Sequence, residues 1–329
     1  MYIERVDPVS PDPRIIALAA DLLREGRLVA FPTETVYGLG ASALDASAVA
    51  RIYRAKGRPE YNPLIVHVAE ASRALDVVSA WPDTAAALAA RFWPGPLTLV
   101  LPKRPNVPDG VTAGLQTVAV RVPSHPVARA LLVESSLPIA APSANRSTQI
   151  SPTTAAHVAK SLGSAVDLIL DGGSTTVGIE STVVDLSTEM PTLLRPGTIT
   201  IPELEAVLGR VRTAREVAGD AARPSPGMLD KHYAPRATVF VVSADDVAPT
   251  IGREVARGHR VGAVVIRADG SEGARTVTMP NDAAGYASKI YDALHPLDDA
   301  NSDVIVVERV PDAPEWLGVA DRLRRAASS

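Results

Sequence analysis

The chain has 329 residues, 46% of them apolar and 21% charged, with a formal charge of −4 and no cysteine. That length suffices for one large or two ordinary domains, each with its own core. The missing cysteine excludes disulfides, thiolate catalysis and cysteine-ligated zinc or iron–sulfur centres, and the mild acidity requires that any polyanion be met by a local basic site.

The N-terminal MYIERVDPVSPDPR is too charged and proline-rich for a secretory signal, and no run approaches the roughly 18 apolar residues of a membrane span, so a cytoplasmic protein off the membrane is expected. RIIALAADLLRE, residues 14–25, carries apolar side chains at helical spacing and runs into Gly26. This predicts a helix followed by a strand from Leu28 to Phe31. In FPTETVYGLG, residues 31–40, two threonines, a glutamate and a tyrosine follow the strand. Such polar punctuation lines pockets, though Gly38 and Gly40 equally suit a plain tight turn. Gly38, Gly40 and Ala43 also fit a G-x-G-x-x-A dinucleotide fingerprint, but Pro32 and five further residues separate Phe31 from the first glycine, where that fingerprint wants a turn directly off the strand.

LDASAVARIYRAKG offers Asp45 as an N-cap, a stripe through Val49, Ile52 and Tyr53, and Gly57 as terminator, which predicts a second helix. Arg51, Arg54, Lys56 and Arg58 crowd its end, with Asn62 and His67 beyond. The cations suit a bound polyphosphate or simply complement the helix dipole, and a lone histidine on an apolar strand is commonly a hydrogen-bonded core residue. Strands are predicted at 64–68, 97–101, 117–122, 139–141, 168–170 and 182–186. In TVAVRVP a two-residue period puts Val118, Val120 and Val122 on one face and Thr117, Ala119 and Arg121 on the other. A buried Arg121 needs an anionic partner, either a ligand or an internal carboxylate. APSANRSTQISPTTAAHVAKSLG places Ser143 and Asn145 in a loop and predicts Ser151 as an N-cap with Pro152 at the first helical position, a ready anion site or an ordinary capped helix. GIESTVVDL sets Ser181 at a strand mouth, and LLRPG leaves Arg195 at a strand end.

Between residues 206 and 236 charged helical sequence passes into AARPSPGMLDKHYAP, read as a linker. Beyond it, residues 237–329 alternate apolar strands with helical segments and close on WLGVADRLRRAA, as expected of a small βαβ, Rossmann-like domain. The chain as a whole is α/β, or α+β. It lacks a phosphate-loop motif, a nucleophile elbow, an H-E-x-x-H helix and a kinase signature. What remains is a set of hydroxyl, amide and cationic side chains on strand ends and loops, suited to positioning a nucleotide for in-line attack.

Taken in order, PTETVYGLG, KGRP with NPLIVHV, PGPLTLVL, VAVRVP, PSAN with SPT, GIESTVVDL and LRPG resemble the threonylcarbamoyl-AMP synthase family and its YrdC-like domain over about residues 10–205. HYAP and the closing LGVADRLRRAA resemble its longer, two-domain form. The resemblance implies a large twisted-sheet YrdC-like catalytic domain with a concave basic cleft over residues 1–205, a linker and lid over 206–236, and a smaller α/β domain over 237–329. It further implies that L-threonine, bicarbonate and ATP with Mg2+ yield threonylcarbamoyl-adenylate and diphosphate. A downstream tRNA threonylcarbamoyl-transferase complex would consume the adenylate to modify an adenosine beside the anticodon; the alternatives are an RNA-binding or regulatory YrdC-like module, with weak RNA binding on the concave surface, and a related carbamoyl-transfer enzyme. By matching position, Lys56, Arg58, Ser143 and Asn145 form the central catalytic set. Arg58, Asn62, Thr117, Ser143, Ser151 and Arg195 fall on the ATP side, with Tyr233 as a lid contact. Thr35, His67, Arg121, the backbone at Ala141, and Ser181 hold threonine, and no protein metal ligand is carried over. One departure stands out: after Ser147 the family usually has glycine, whereas Thr148 and Gln149 follow here.

Overall fold

The computed structural model describes residues 2–213, 233–267 and 272–327. The first part of the chain builds β1 (Tyr2–Arg5), α1 (Pro13–Arg24), β2 (Val29–Pro32), β3 (Tyr37–Ser42), α2 (Ala46–Lys56), β4 (Ile65–His67), α3 (Asp83–Phe92), β5 (Leu97–Pro102), α4 (Asp109–Thr112) and β6 (Thr117–Arg121). It continues through α5 (Pro126–Ser135), β7 (Ile139–Ala140), α6 (Ala155–Leu162), β8 (Leu168–Asp171), β9 (Thr182–Asp185), β10 (Thr192–Arg195), α7 (Ile201–Leu208) and β11 (Arg212–Thr213). These strands form one sheet in the order β1-β8-β2-β3-β7-β4-β6-β5-β9-β10-β11. The second part adds β12 (Thr238–Val242), α8 (Ala244–Ala256), β13 (Val261–Val265), β14 (Ala274–Thr278), α9 (Ala283–Asp299), β15 (Val304–Glu308) and α10 (Leu317–Ala327). Its four strands, ordered β12-β15-β13-β14, all run parallel. The α/β class and the large and small sheets match the expectation.

The local signals acted as anticipated in the first two helices. The Asp45 carboxylate accepts from the amides of Ser47 and Ala48, and Gly57 ends α2 with a left-handed φ of 58°, a conformation that costs glycine nothing. Val49, Ile52 and Tyr53 turn into the main core together with Leu64, Leu99, Val118 and Val120. Helices α1 and α5 bury a second cluster, including Leu23, Leu131 and Phe31, against β2 and β8.

The tight-turn reading of Gly38 and Gly40 and the helix cap expected at Ser151 both fail. FPTETVYGLG is a hairpin, β2 pairing antiparallel with β3 so that Phe31 faces Gly38 and Val29 faces Gly40. The glycines therefore lie in a strand and not in a strand-to-helix turn, which removes the dinucleotide fingerprint. Their small size serves packing: a Cβ on Gly40 would sit 2.7 Å from Phe31 Cε1 and 2.9 Å from Ile139 Cγ2. Nor does Ser151 cap a helix. Thr154 caps α6, accepting from the amide of His157, because the preceding backbone is engaged elsewhere: the Tyr37 amide donates to the carbonyl of Pro152 at 2.9 Å and the Thr175 amide to that of Thr153 at 3.0 Å. Of the linker, residues 206–208 complete α7 and 212–213 form β11 beside β10, while residues 214–232, most of the expected lid, lie outside the described residues.

Candidate active site

The two-residue period of β6 divides two environments. Val118 and Val120 enter the main core, while Ala119 joins Ile65, Val100, Val183 and Leu194 in a small apolar floor on the opposite face. Arg121 shares that opposite face with Ala119 and lies level with His67 in the parallel β4–β6 pairing. Above this floor a cleft with a free volume of about 50 Å³ is lined by Thr33, Thr35, Val36, Gly38, Arg58, Ile65, His67, Arg121, Ala141, Pro142, Ser143, Glu180, Ser181, Arg195 and Tyr233. The β2–β3 turn, the exit of α2, the ends of β4, β6 and β10, the loop after β7 and the entry to β9 all contribute.

Three arginines converge there, each held differently. Arg58 donates from Nε to the carbonyl of Asn62 at 3.1 Å and from Nη2 to that of Pro63 at 2.9 Å. Among the described residues no carboxylate pairs with it, and burial, reinforced by the charge of Arg195, pushes its pKa down to about 10. Arg195 donates from Nε to the carbonyl of Ser181 and from Nη2 to its hydroxyl, both at 3.0 Å, and Tyr233 lines the cleft beside it. Arg121 has an internal partner: Nη2 lies 2.6 Å from Glu34 Oε1, Nη1 donates to Thr35 Oγ1 at 3.0 Å, and Nε donates to the Gly95 carbonyl at 3.1 Å. Burial opposes ionisation of Glu34, but the Arg121 charge outweighs it and holds the carboxyl below its ordinary value. His67 is neutral for the opposite reason, burial and the Arg121 charge together pushing its pKa down to about 3.

Lys56 does not line the cleft. Its ammonium is 2% exposed and donates to the carbonyl of Ser143 at 2.5 Å and to that of Asn145. It therefore ties down the loop that presents Ser143, and burial with the nearby Arg58 charge lowers its pKa well below the usual lysine value. Asn145 sits behind the same loop, its amide donating to the carbonyls of Arg146 and Gln149. Asn62 is buried beside Arg58 with Nδ2 unpartnered, and Thr117 is half-buried at the start of β6; neither lines the cleft. Ser151 lies outside the lining too, donating to Glu180 Oε1 at 2.5 Å. By contrast Thr35, His67, Arg121, Ala141 and Ser181 all line it. Thr148 adopts φ 69°, the left-handed region that suits a glycine, and its carbonyl accepts from the Ala234 amide at 2.9 Å.

Three charged residues escaped the sequence reading. Glu34 and Glu180 stood inside quoted motifs, and Arg322 stood in the closing LGVADRLRRAA. Their signal was a charge within an apolar run, but the pairing is a tertiary fact: Arg322 Nε meets Glu180 Oε2 at 2.7 Å across 142 positions. Glu180 also accepts from Tyr291 at 3.1 Å. Burial would raise the Glu180 pKa, yet the charges of Arg322 and Arg195 and the hydrogen bonds from Ser151 and Arg322 hold it down. No group of three or more His, Asp or Glu able to cage a metal exists among the described residues, and no helix there is long and apolar enough to cross a membrane.

Comparisons with known proteins cover nearly the whole chain. A family model described as telomere recombination matches residues 21–197, and one described as the C-terminal domain of threonylcarbamoyl-AMP synthase matches residues 199–328. The threonylcarbamoyl-AMP synthase of Bacillus subtilis is 45% identical, the alignment covering 99% of this chain and 96% of that protein. The one from Pyrococcus abyssi is 47% identical over 95% and 94%. The crystal structure of Pyrococcus abyssi Sua5 complexed with L-threonine superposes with a TM-score of 0.94 at 44% identity, covering 99% of this chain and 98% of that one.

Proposed function

The chain belongs to the threonylcarbamoyl-AMP synthase family, and on that premise we propose that its cleft joins L-threonine, bicarbonate and ATP into threonylcarbamoyl-adenylate and diphosphate. The threonine amine adds to the carbon of bicarbonate with loss of water, giving a carbamate. A carbamate oxygen then attacks the α-phosphorus, and the bond to the bridging oxygen breaks as diphosphate leaves.

The observation that carries this reading is the convergence of Arg58, Arg121 and Arg195 on one cleft. Two anionic reactants repel unless cations stand between them, and preorganised donors in a water-poor site stabilise the charge that grows on the leaving group. Arg58 and Arg195 are assigned to the phosphates with Ser143 and Tyr233, Arg58 because a buried guanidinium held only by carbonyls gains most from an anion. Arg121 is assigned to threonine's carboxylate, which it shares with Glu34; Thr35, Ser181, neutral His67 and the Ala141 backbone surround the rest of the amino acid. Asn62 keeps its ATP-side assignment through Arg58, and Ser151 acts through Glu180. Lys56 and Asn145 belong to the catalytic set by fixing the Ser143 loop.

Magnesium fits poorly as a resident ion. Among the described residues Glu180 is the one carboxylate in the lining, and it is already taken by Arg322, Ser151 and Tyr291. The ion is therefore read as part of the substrate, held by phosphate oxygens and water. The adenylate would pass to a tRNA threonylcarbamoyl-transferase in the cytoplasm.

Diphosphate release tests the reading. It should require ATP and bicarbonate and be stimulated by L-threonine far more than by L-serine. Release that ignores the amino acid would refute it.

A further inference from the structure

The cleft built to hold anions carries a carboxylate in its wall. Glu180 is 7% exposed, precedes Ser181 and lines the cavity with Arg195. Left alone, a buried carboxylate there would repel a triphosphate. Its counter-charge comes from the other domain: Arg322 of α10, whose side chain is fully buried, donates from Nε to Glu180 Oε2 at 2.7 Å and from Nη2 to the Glu180 carbonyl at 3.0 Å. Its Nη1 donates to the carbonyl of Pro196 at 2.8 Å, and its guanidinium stacks 5.1 Å from the centroid of the Tyr233 ring. One side chain thus grips the residue before Ser181 and the residue after Arg195. The approach is tight: a Cβ on Gly318, one turn earlier on α10, would meet the carbonyl oxygen of Gly197 at 2.5 Å.

Resting on the functional reading above, we propose that Arg322 is a positioning residue whose task is to cancel Glu180, so that the C-terminal domain sets the nucleotide affinity of a cleft in the other domain. Arg322 faces Glu180, Asp321, Tyr233 and Tyr291, with Arg195 beyond Glu180. Asp321 is not free to take the place of Glu180, since it is also bonded by Arg324 and Arg325. Without Arg322 the charge of Glu180 falls on the phosphates; without both, the cleft regains its balance. A merely structural contact would show that rescue in folding stability alone and would leave the ATP affinity of the folded chain unmoved.

The test is a double-mutant cycle on the full chain, reading ATP affinity by calorimetry together with the KM for ATP and kcat. Arg322→Gln should weaken ATP binding about tenfold or more, with a smaller effect on kcat, and adding Glu180→Gln should return ATP affinity to within a few-fold of Glu180→Gln alone. Unchanged affinity in Arg322→Gln, or a double variant as weak as the single one, would overturn the proposal. Should Arg322→Gln fail to fold, the double variant decides, since replacing both members of a buried pair is often near neutral for stability. Affinity like that of Glu180→Gln supports the pairing, and affinity tenfold weaker overturns it. A wild-type chain that binds ATP but releases no diphosphate with threonine would sink the functional reading and this inference with it, whereas an active wild type with an unaltered Arg322→Gln sinks this inference alone.

Discussion

Replacing Lys56 by methionine removes a buried ammonium while keeping a side chain of similar length. In the native structure the ammonium serves the carbonyls of Ser143 and Asn145. Leaving two buried acceptors short of a donor costs about 1–3 kcal/mol each, and part of that is returned because no charge is buried any longer. A net loss of about 2–4 kcal/mol follows. The larger effect falls on catalysis, because Ser143 lines the cleft and a displacement of about 1 Å in a positioning group can cost on the order of 100-fold. Denaturant titration gives the first quantity, and steady-state diphosphate release gives kcat. The expected result is a folded protein with its midpoint lowered and kcat down by about 100-fold or more. A variant with the native midpoint and kcat within a few-fold would refute the argument that Lys56 fixes this loop.

Acid should weaken the fold through His67. Its folded pKa, about 3, lies below the ordinary histidine value of 6.5, so its contribution is fully present above pH 6.5 and is lost as the pH falls toward 3. Going from pH 7 to pH 5 should cost about 2 kcal/mol at this site, and urea titrations should show a shallower acid limb in His67→Gln; equal limbs would contradict the assignment. Thr148→Gly should raise stability by about 1 kcal/mol, since relief of about 1–3 kcal/mol of left-handed strain exceeds the 0.4–1 or so lost through a freer unfolded chain; a lowered melting temperature would contradict it. Gly40→Ala should cost about 1–3 kcal/mol by overpacking Phe31 and Ile139, read as a lower denaturation midpoint, and a neutral result would mean the hairpin yields.

Strands rich in valine, isoleucine and leucine, and helices with Asp45 or Gly57 at their ends, were legible because local chemistry and burial agree there. β3 was not: YGLGAS reads as a turn, and its glycines are explained only by what packs on them across the sheet, Phe31 and Ile139 against Gly40 and Ala141 with Phe31 against Gly38. Ser151 misled for a similar reason, its proline mimicking a helix start while the backbone beside it pairs with Tyr37. Within the site, the five residues that the family resemblance put around threonine all line the cleft; the strand period by itself singled out only Arg121 among them. Lys56 looked like a phosphate ligand because its partners, two carbonyls 87 and 89 positions away, leave no trace in the local sequence. Glu34 and Glu180 were passed over because a carboxylate in a basic cleft makes sense only once its own arginine is known.

The measurement closest to the central claim is mass spectrometry of the product formed from ATP, magnesium, L-threonine and isotopically labelled bicarbonate. The three-arginine cleft predicts an adenylate whose mass carries both the threonine and the label, and which disappears when bicarbonate is depleted. An adenylate without the label, or no adenylate while ATP and threonine are both bound, would contradict it.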